Sequence, residues 1–298
     1  MDLRALATFL TVADTGSFTR AGERLRVSQS AVSQQIRTLE EDLGASLFAR
    51  QTRKVTLTQA GSVLLPYARQ IVRKVEEARA VVSDFEGLGR GRVSVGTSGA
   101  VCHHILPDLV REFSSRFGKI EVHVLSGFTL ETLQRTIDGT VDLGIVPLPV
   151  KESGLVITQL GRDELCAIAP RDHAWQRMER VRAKDFAGQS LVASDRRSQT
   201  FRTLERFVLE AGVFPTIVME ISDVEAVKRM VGVGLGVSVV PRWAVRKEEA
   251  SGDLVVRPLG PRGVYRSWGL VRRASDSLTA SQRSFVGICT SHLPVLMA

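Results

Sequence analysis

Gln29, Ser30, Ser33, Gln34 and Arg37 lie close together in the chain and carry the chemistry by which base edges are read. A glutamine amide pairs a donor with an acceptor opposite adenine, serine hydroxyls adapt to either role, and a guanidinium suits guanine or phosphate. At 100° per residue these side chains share one helix face, with Gln29 at its N-terminal edge, opposite an apolar stripe of Val32, Ile36, Leu39 and Leu43. A merely solvated face alternates Glu with Lys, whereas this one has no carboxylate before Glu40 and Glu41. Nothing acidic would repel phosphate. Further on, Arg50, Arg53 and Lys54 sit in a turn between two β-prone runs, Leu47-Phe48-Ala49 and Val55-Thr56-Leu57, which reads as a basic wing beside the helix.

The elements that must hold this face are legible around it. Ser17 can cap a short helix running to about Leu25, Arg26 and Val27 make a polar turn, and Ser28 stands where an N-cap opens the next helix. The result is a helix-turn-helix. Leu3, Leu6, Phe9 or Leu10, and Val12 or Ala13 form a helix beneath it that Gly16 ends. After the wing, Thr58 can cap a long helix from about Gln59 to Glu86. In it Leu64, Ala68, Ile71, Val75, Ala78, Val82 and Phe85 keep a heptad spacing, the pattern of a coiled-coil dimer seam. Such a helix spans roughly 40 Å, longer than the small domain it leaves. Pro66 removes a backbone bond and should kink it.

A chain of 298 residues implies two or three domains. The net charge of +8 permits polyanion binding. Residues 1–92 hold 14 Lys or Arg against 10 Asp or Glu, so the basic excess is densest where the helix-turn-helix lies. Three scattered cysteines, Cys102, Cys166 and Cys289, fit a reducing compartment, and no uncharged apolar run reaches membrane-spanning length. A cytoplasmic, soluble protein with no membrane partner is expected. After a glycine-rich hinge, Gly87 to Gly91, short apolar runs alternate with helical stretches in two sets, which predicts α/β lobes with mostly parallel sheets.

The chain resembles the LysR-type transcriptional regulator family along its whole length. The resemblance rests on Ser17-Phe-Thr-Arg-Ala-Gly-Glu-Arg-Leu25, on Ser28 through Glu40, on Leu43-Gly-Ala-Ser-Leu-Phe-Ala-Arg50, on Leu57-Thr-Gln-Ala-Gly61 and on Val231 through Pro241. It implies an α/β protein: a winged helix-turn-helix at 1–58, a dimerising linker helix and hinge at 59–92, and a periplasmic-binding-protein-like effector domain at 93–298. Lobe I would comprise 93–162 and 268–298, and lobe II 163–267. The implied partners are double-stranded DNA, a small-molecule effector, RNA polymerase and further copies of the chain, a homodimer assembling to a homotetramer. By matching position, Gln29, Ser30 and Ser33 would face bases, while Ser28, Gln34, Arg37, Arg50, Arg53 and Lys54 would contact bases or phosphates. Many members carry proline where this chain has Ser30, a departure that removes the basis for an apolar base contact there.

The turn Thr97-Ser98-Gly99-Ala100 offers hydroxyls and backbone N–H groups at a helix start, which favours an anion. By resemblance, Phe128 and Thr129, Val146 and Pro147, and Gln199-Thr200-Phe201 line the same cleft. A small organic anion is the expected effector, and Arg196 and Arg197 either add charge to the cleft or are solvated loop residues. No cofactor or metal is expected.

Other readings carry less. Gly96-Thr-Ser98-Gly-Ala100 is a near miss to the nucleophile elbow of a hydrolase, the alternative from another class, but His123, His173 and His292 stand in no catalytic setting. Adjacent helical residues Cys102-His103-His104 point about 100° apart and cannot chelate one ion together. Gly232, Gly234 and Gly236 follow a helix and precede a strand, the reverse of a dinucleotide fingerprint. A thiol switch would want a second cysteine near Cys166.

Overall fold

Local capping lays out the N-terminal elements, as the computed structural model shows; it describes residues 2–51, 54–85 and 91–297. Asp2 accepts from the Arg4 N–H at the start of α1 (Leu3–Thr15), Ser17 accepts from Arg20 before α2 (Phe18–Leu25), and Ser28 accepts from Ala31 before α3 (Gln29–Leu43). The wing is the antiparallel pair β1 (Phe48–Gln51) and β2 (Lys54–Leu57), and α4 (Gln59–Phe85) runs on through Pro66. Leu6, Phe9 and Val12 of α1, Val32, Ile36 and Leu39 of α3, Phe48 and Ala68 form one core. The α3 stripe stops at Leu39, because Leu43, in the last helical position before Gly44, stays exposed. Gly61 lies so close to Leu47 that an added Cβ would overlap the Leu47 carbonyl oxygen, so only glycine lets α4 approach the wing.

Met1–Leu88 with Asp138–Thr140 forms one compact unit, and Gly89–Ile137 with Val141–Ala298 the other. The second unit opens with β3 (Gly91–Thr97), α5 (Gly99–His104), α6 (Leu106–Arg116), β4 (Ile120–Ser126), α7 (Thr129–Ile137) and β5 (Leu143–Leu148). A 16-residue strand, β6 (Leu155–Pro170), leads out of this lobe. There follow β7 (Ser190–Ser194), α8 (Gln199–Leu209), β8 (Thr216–Ile221), α9 (Val224–Gly232), β9 (Ser238–Pro241), α10 (Arg246–Ser251) and β10 (Leu254–Pro258). Then β11 (Val264–Arg273) leads back, and α11 (Ala280–Met297) closes the chain on the first lobe.

Each lobe has its own core. Lobe I packs Val93, Val95, Leu109, Phe113, Leu270 and Phe285; lobe II packs Trp175, Phe186, Leu204 and Val239, with a second cluster around Val192, Val227 and Val240. The sheets are mixed, which corrects the expectation of mostly parallel ones. β3 runs parallel to β4 and β5, and β7 to β8, but β6 is antiparallel to β9, β10 and β11, and β11 to β5. The reason is that β6 and β11 carry the chain between lobes in opposite directions and belong to both. Their register shifts at Trp268/Gly269, where Leu160 is the extra residue on β6. Gly236 permits the α9–β9 connection: a Cβ there would overlap the Ser190 carbonyl oxygen. Among the described residues no helix is long and apolar enough to cross a membrane.

Candidate functional site

The polar face of α3 is open to solvent. Ser28, Gln29, Ser30, Gln34 and Arg37 are exposed and Ser33 is half-buried. Two pairs stiffen the leading turn: the Ser28 and Ser30 hydroxyls lie 2.9 Å apart, and the Gln29 amide donates to Ser33 Oγ at 2.8 Å. The first carboxylate, Glu40, is occupied elsewhere, accepting from the backbone N–H groups of Leu47 and Phe48 at 2.7 and 3.3 Å. It ties the wing to α3, and the reading face carries no carboxylate from Gln29 to Arg37; Glu41, exposed one turn beyond Arg37, is the next on that face. Arg50 and Lys54 fall on the wing strands with side chains outside the described residues, as is all of Arg53.

The expected dimer seam on α4 is divided. Ala68 is fully buried in its own unit and Leu64 packs against the same core, because the first half of α4 lies on α1. Ile71 and Ala78 are exposed and Val75 half-buried, while the side chains of Val82 and Phe85 lie outside the described residues. The apolar stripe that the first half of α4 leaves uncovered is Val63, Tyr67 and Ile71, at 60%, 60% and 37% exposure.

In the second unit a cleft of about 300 Å³ opens between the lobes. Most segments lining it lie at or just beyond the carboxyl end of a strand, where open α/β sheets hold ligands. These are Ser98, Gly99 and Ala100 after β3, Ser126 to Thr129 at the end of β4, Pro147 on β5, Ser194 and Ser198 to Thr200 after β7, and Ser222 to Val224 after β8. Pro241, Trp243, Arg266 and Trp268 complete the lining. Ser198 and Asp223 cap α8 and α9 at the cleft wall, and α7 begins there with Thr129.

Eight of the eleven expected effector residues line this cleft and three do not. Thr97 is buried, its hydroxyl donating to the Ile145 carbonyl at 3.0 Å, where it fastens β3 to β5. Val146 is also buried, packed with Leu133 and Val271, since it alternates with Pro147 along β5. Phe201 turns into the lobe II core beside Leu204. Sequence reasoning missed Arg266, Asp163, Trp243 and Trp268. The Arg266 guanidinium donates to both carboxylate oxygens of Asp163, from Nε at 3.1 Å and from Nη2. Its Nη1 donates to Thr200 Oγ1 at 2.9 Å, and Trp243 Nε1 donates to Asp163 Oδ2 at 2.9 Å. Arg266 and Asp163 are 103 positions apart, and neither carried a local signal.

A side-chain contact also joins the lobes. His104 Nε2 of lobe I and Glu225 Oε1 of lobe II are 2.7 Å apart. Glu225 also pairs with buried Lys228 at 2.7 Å, and Lys228 reaches Glu248 at 2.9 Å and the Ala244 carbonyl at 2.8 Å. Burial holds the His104 imidazole below the ordinary histidine range. Burial alone would raise Glu225, but Lys228 and then His104 outweigh it and hold the carboxyl low. Near the cleft wall, Arg197 donates to Asp195 from Nε and Nη2 at 3.0 and 2.8 Å and keeps that carboxyl below the usual range.

Two family descriptions match the chain: "Bacterial regulatory helix-turn-helix protein, lysR family" over residues 3–62 and "LysR substrate binding domain" over residues 86–294. The RuBisCO operon transcriptional regulator of Allochromatium vinosum is 32% identical over 286 residues, covering 96% of this chain and 94% of that protein. The HTH-type transcriptional activator CmpR of Synechocystis sp. is 27% identical over 290 residues, 97% of this chain and 95% of that one. Among solved structures, a full-length OxyR variant from Pseudomonas aeruginosa superposes with a TM-score of 0.77 at 26% identity, covering 97% of this chain and 93% of that one.

Proposed function

From the premise that the chain belongs to the LysR family of bacterial regulatory helix-turn-helix proteins, we propose how its parts divide the work of a DNA-binding transcriptional regulator with an effector-binding domain. Gln29, Ser30 and Ser33 read bases; Ser28, Gln34, Arg37, Arg50, Arg53 and Lys54 hold the backbone or flanking bases. The observation that carries this reading is an α3 face of amides, hydroxyls and one guanidinium, open to solvent and without a carboxylate from Gln29 to Arg37. The divisions are 1–58 for DNA binding, 59–92 for dimerisation and 93–298 for the effector, with lobes exchanging near residues 162 and 268.

The effector is a small organic anion held between the lobes. Support comes from cleft walls built of Ser98, Thr129, Ser194, Ser198 and Thr200, from the starts of α7 and α8, and from Arg266, with Phe128, Trp243 and Trp268 as flat apolar surfaces. Arg266 shares its charge with Asp163, and Asp223 adds a carboxylate, so a compact acid with one strongly charged end suits the cleft better than a polyanion. The effector acts by binding one arrangement of the lobes more tightly than another, since equal binding to both would change nothing. The Val63, Tyr67 and Ile71 stripe supports α4 as a dimer surface, dimers pair into a homotetramer, and the assembly works in the cytoplasm alongside RNA polymerase. A regulatory role without catalysis fits best: Ser98 serves as the cap of α5, and the hydrolase reading has no support in the family match.

The test is binding of the full-length protein to the DNA upstream of its own coding sequence, against random DNA of equal length, across a salt series. A preference of about thousandfold, with footprints about one helical turn apart, is expected. Equal and steeply salt-dependent binding to every such segment, its operator candidates included, would reduce the surface to a nonspecific polyanion binder.

A further inference from the structure

We infer that Arg197 is a positioning residue for the effector: it fastens lobe II to lobe I at the cleft and holds the Phe128 ring in the cleft wall. The inference rests on the reading of the cleft as the effector site. Arg196 and Arg197 are consecutive, both exposed and both on the loop that follows β7, yet their side chains go to different lobes. Arg196 stays within lobe II, donating from Nε to Glu220 at 3.2 Å, with its guanidinium 5.4 Å from the Phe201 ring centre. Arg197 crosses. Its guanidinium carbon lies 4.2 Å from the centre of the Phe128 ring, and its Nη1 is 3.8 Å from Glu131 Oε1, both in lobe I.

The crossing is anchored at its base. Asp195 accepts from the Arg197 backbone N–H, Nε and Nη2 at 2.9, 3.0 and 2.8 Å, which fixes the plane of the fork and leaves its face for the aromatic ring. The other side is anchored as well: Glu131 Oε2 accepts from the Phe128 N–H at 3.3 Å while Oε1 faces Arg197. Phe128 lines the cleft, and Ser194 and Ser198, near Arg197 in the chain, line it from the opposite lobe. Parting the lobes at this edge therefore separates guanidinium from ring. The His104–Glu225 contact joins the lobes elsewhere, between α5 and α9. Lysine cannot replace Arg197, because an ammonium has no flat face to lay on Phe128 while its edge holds Asp195.

Acrylamide quenching of tryptophan fluorescence in the full-length protein tests this without knowledge of the effector. Trp243 and Trp268 line the cleft, and Trp175, in the lobe II core, supplies a constant background. Losing one exposed cation–π contact shifts a closed-to-open ratio about twofold to fivefold. Arg197→Ala is expected to raise the quenching constant about twofold for that reason, Arg197→Lys to raise it nearly as much, and Arg196→Ala to leave it at the wild-type value. Far-UV circular dichroism should be the same for all four proteins, so that the rise reports access and not unfolding. Equal quenching of wild type and Arg197→Ala would overturn the inference, and so would equal rises in Arg196→Ala and Arg197→Ala. The readout involves neither DNA nor ligand. A rise confined to the Arg197 variants together with loss of operator preference in the salt series would leave the clasp standing and remove the regulatory reading.

Discussion

Replacing Asp163 by asparagine should unsettle the C-terminal unit more than its single-atom change suggests. The carboxylate is fully buried, accepts two hydrogen bonds from Arg266 and one from Trp243, and faces a guanidinium that is almost as buried. Asparagine keeps one acceptor for Trp243 but turns an amide toward the guanidinium, leaving a buried charge without its counter-ion. Removing one partner of such a pair costs about 3–5 kcal/mol, much of it the desolvation of the charge left behind. At about 2–4 °C per kcal/mol for a domain in this size class, the transition should fall by about 6–20 °C. All three tryptophans, Trp175, Trp243 and Trp268, lie in this unit, so intrinsic fluorescence of the full-length protein follows its melting alone. The double variant Asp163→Asn/Arg266→Met removes both charges and should recover most of the loss. A drop below about 2 °C in the single variant, the size of a solvent-screened surface pair, would refute the reasoning.

Gly61→Ala should destabilise the N-terminal unit by about 1–3 kcal/mol or more, since the clash is with the Leu47 backbone and no side chain can yield; far-UV circular dichroism melting reads it. His104 has its folded pKa held below the unfolded value, so its contribution is complete above about pH 6.5 and is lost as pH falls toward the folded pKa. The melting-temperature gap between wild type and His104→Gln should therefore narrow from about pH 7.5 to about pH 5.5, and a gap that widens would reverse the assignment. Gln29→Ala should relax base preference at one operator position, whereas Arg53→Ala should weaken all DNA alike and lower the salt slope by about one, as measured in binding titrations with substituted operators.

What the sequence disclosed was set by local physics. Ser17 and Ser28 announce helix starts because a cap is made with the next three residues, and Val32, Ile36 and Leu39 announce a buried face because the helical period is local too. Contacts between distant segments left no such trace. In β6 the polar run Arg162, Asp163 and Glu164 interrupts the apolar pattern by which a buried strand is recognised, yet those residues mark where the strand passes from one lobe to the other. Arg266 looks like an ordinary solvent-facing strand residue until Asp163 is beside it. Thr97 is expected in the cleft from the turn it shares with Ser98, and Val146 and Phe201 by resemblance, whereas strand alternation and the inward face of α8 put them in the cores. On α4 the heptad was visible, but not that Ala68 and Leu64 are taken up by the unit they belong to.

The two long strands shared by the lobes set how quickly the molecule can respond. A ribbon of two hydrogen-bonded strands resists stretching along its length but yields to twist, and the extra residue Leu160 opposite Trp268 and Gly269 gives it local slack at the crossing. Lobe motion about such a ribbon is a rotation in which no rung of the β6–β11 ladder has to break. Rigid-body motions of that kind take about microseconds to milliseconds, whereas a change that required strand melting would wait on local unfolding. The delay between a change in effector level and a change at the DNA would then be governed by arrival and departure of the effector, with the protein itself adding little memory of its previous state.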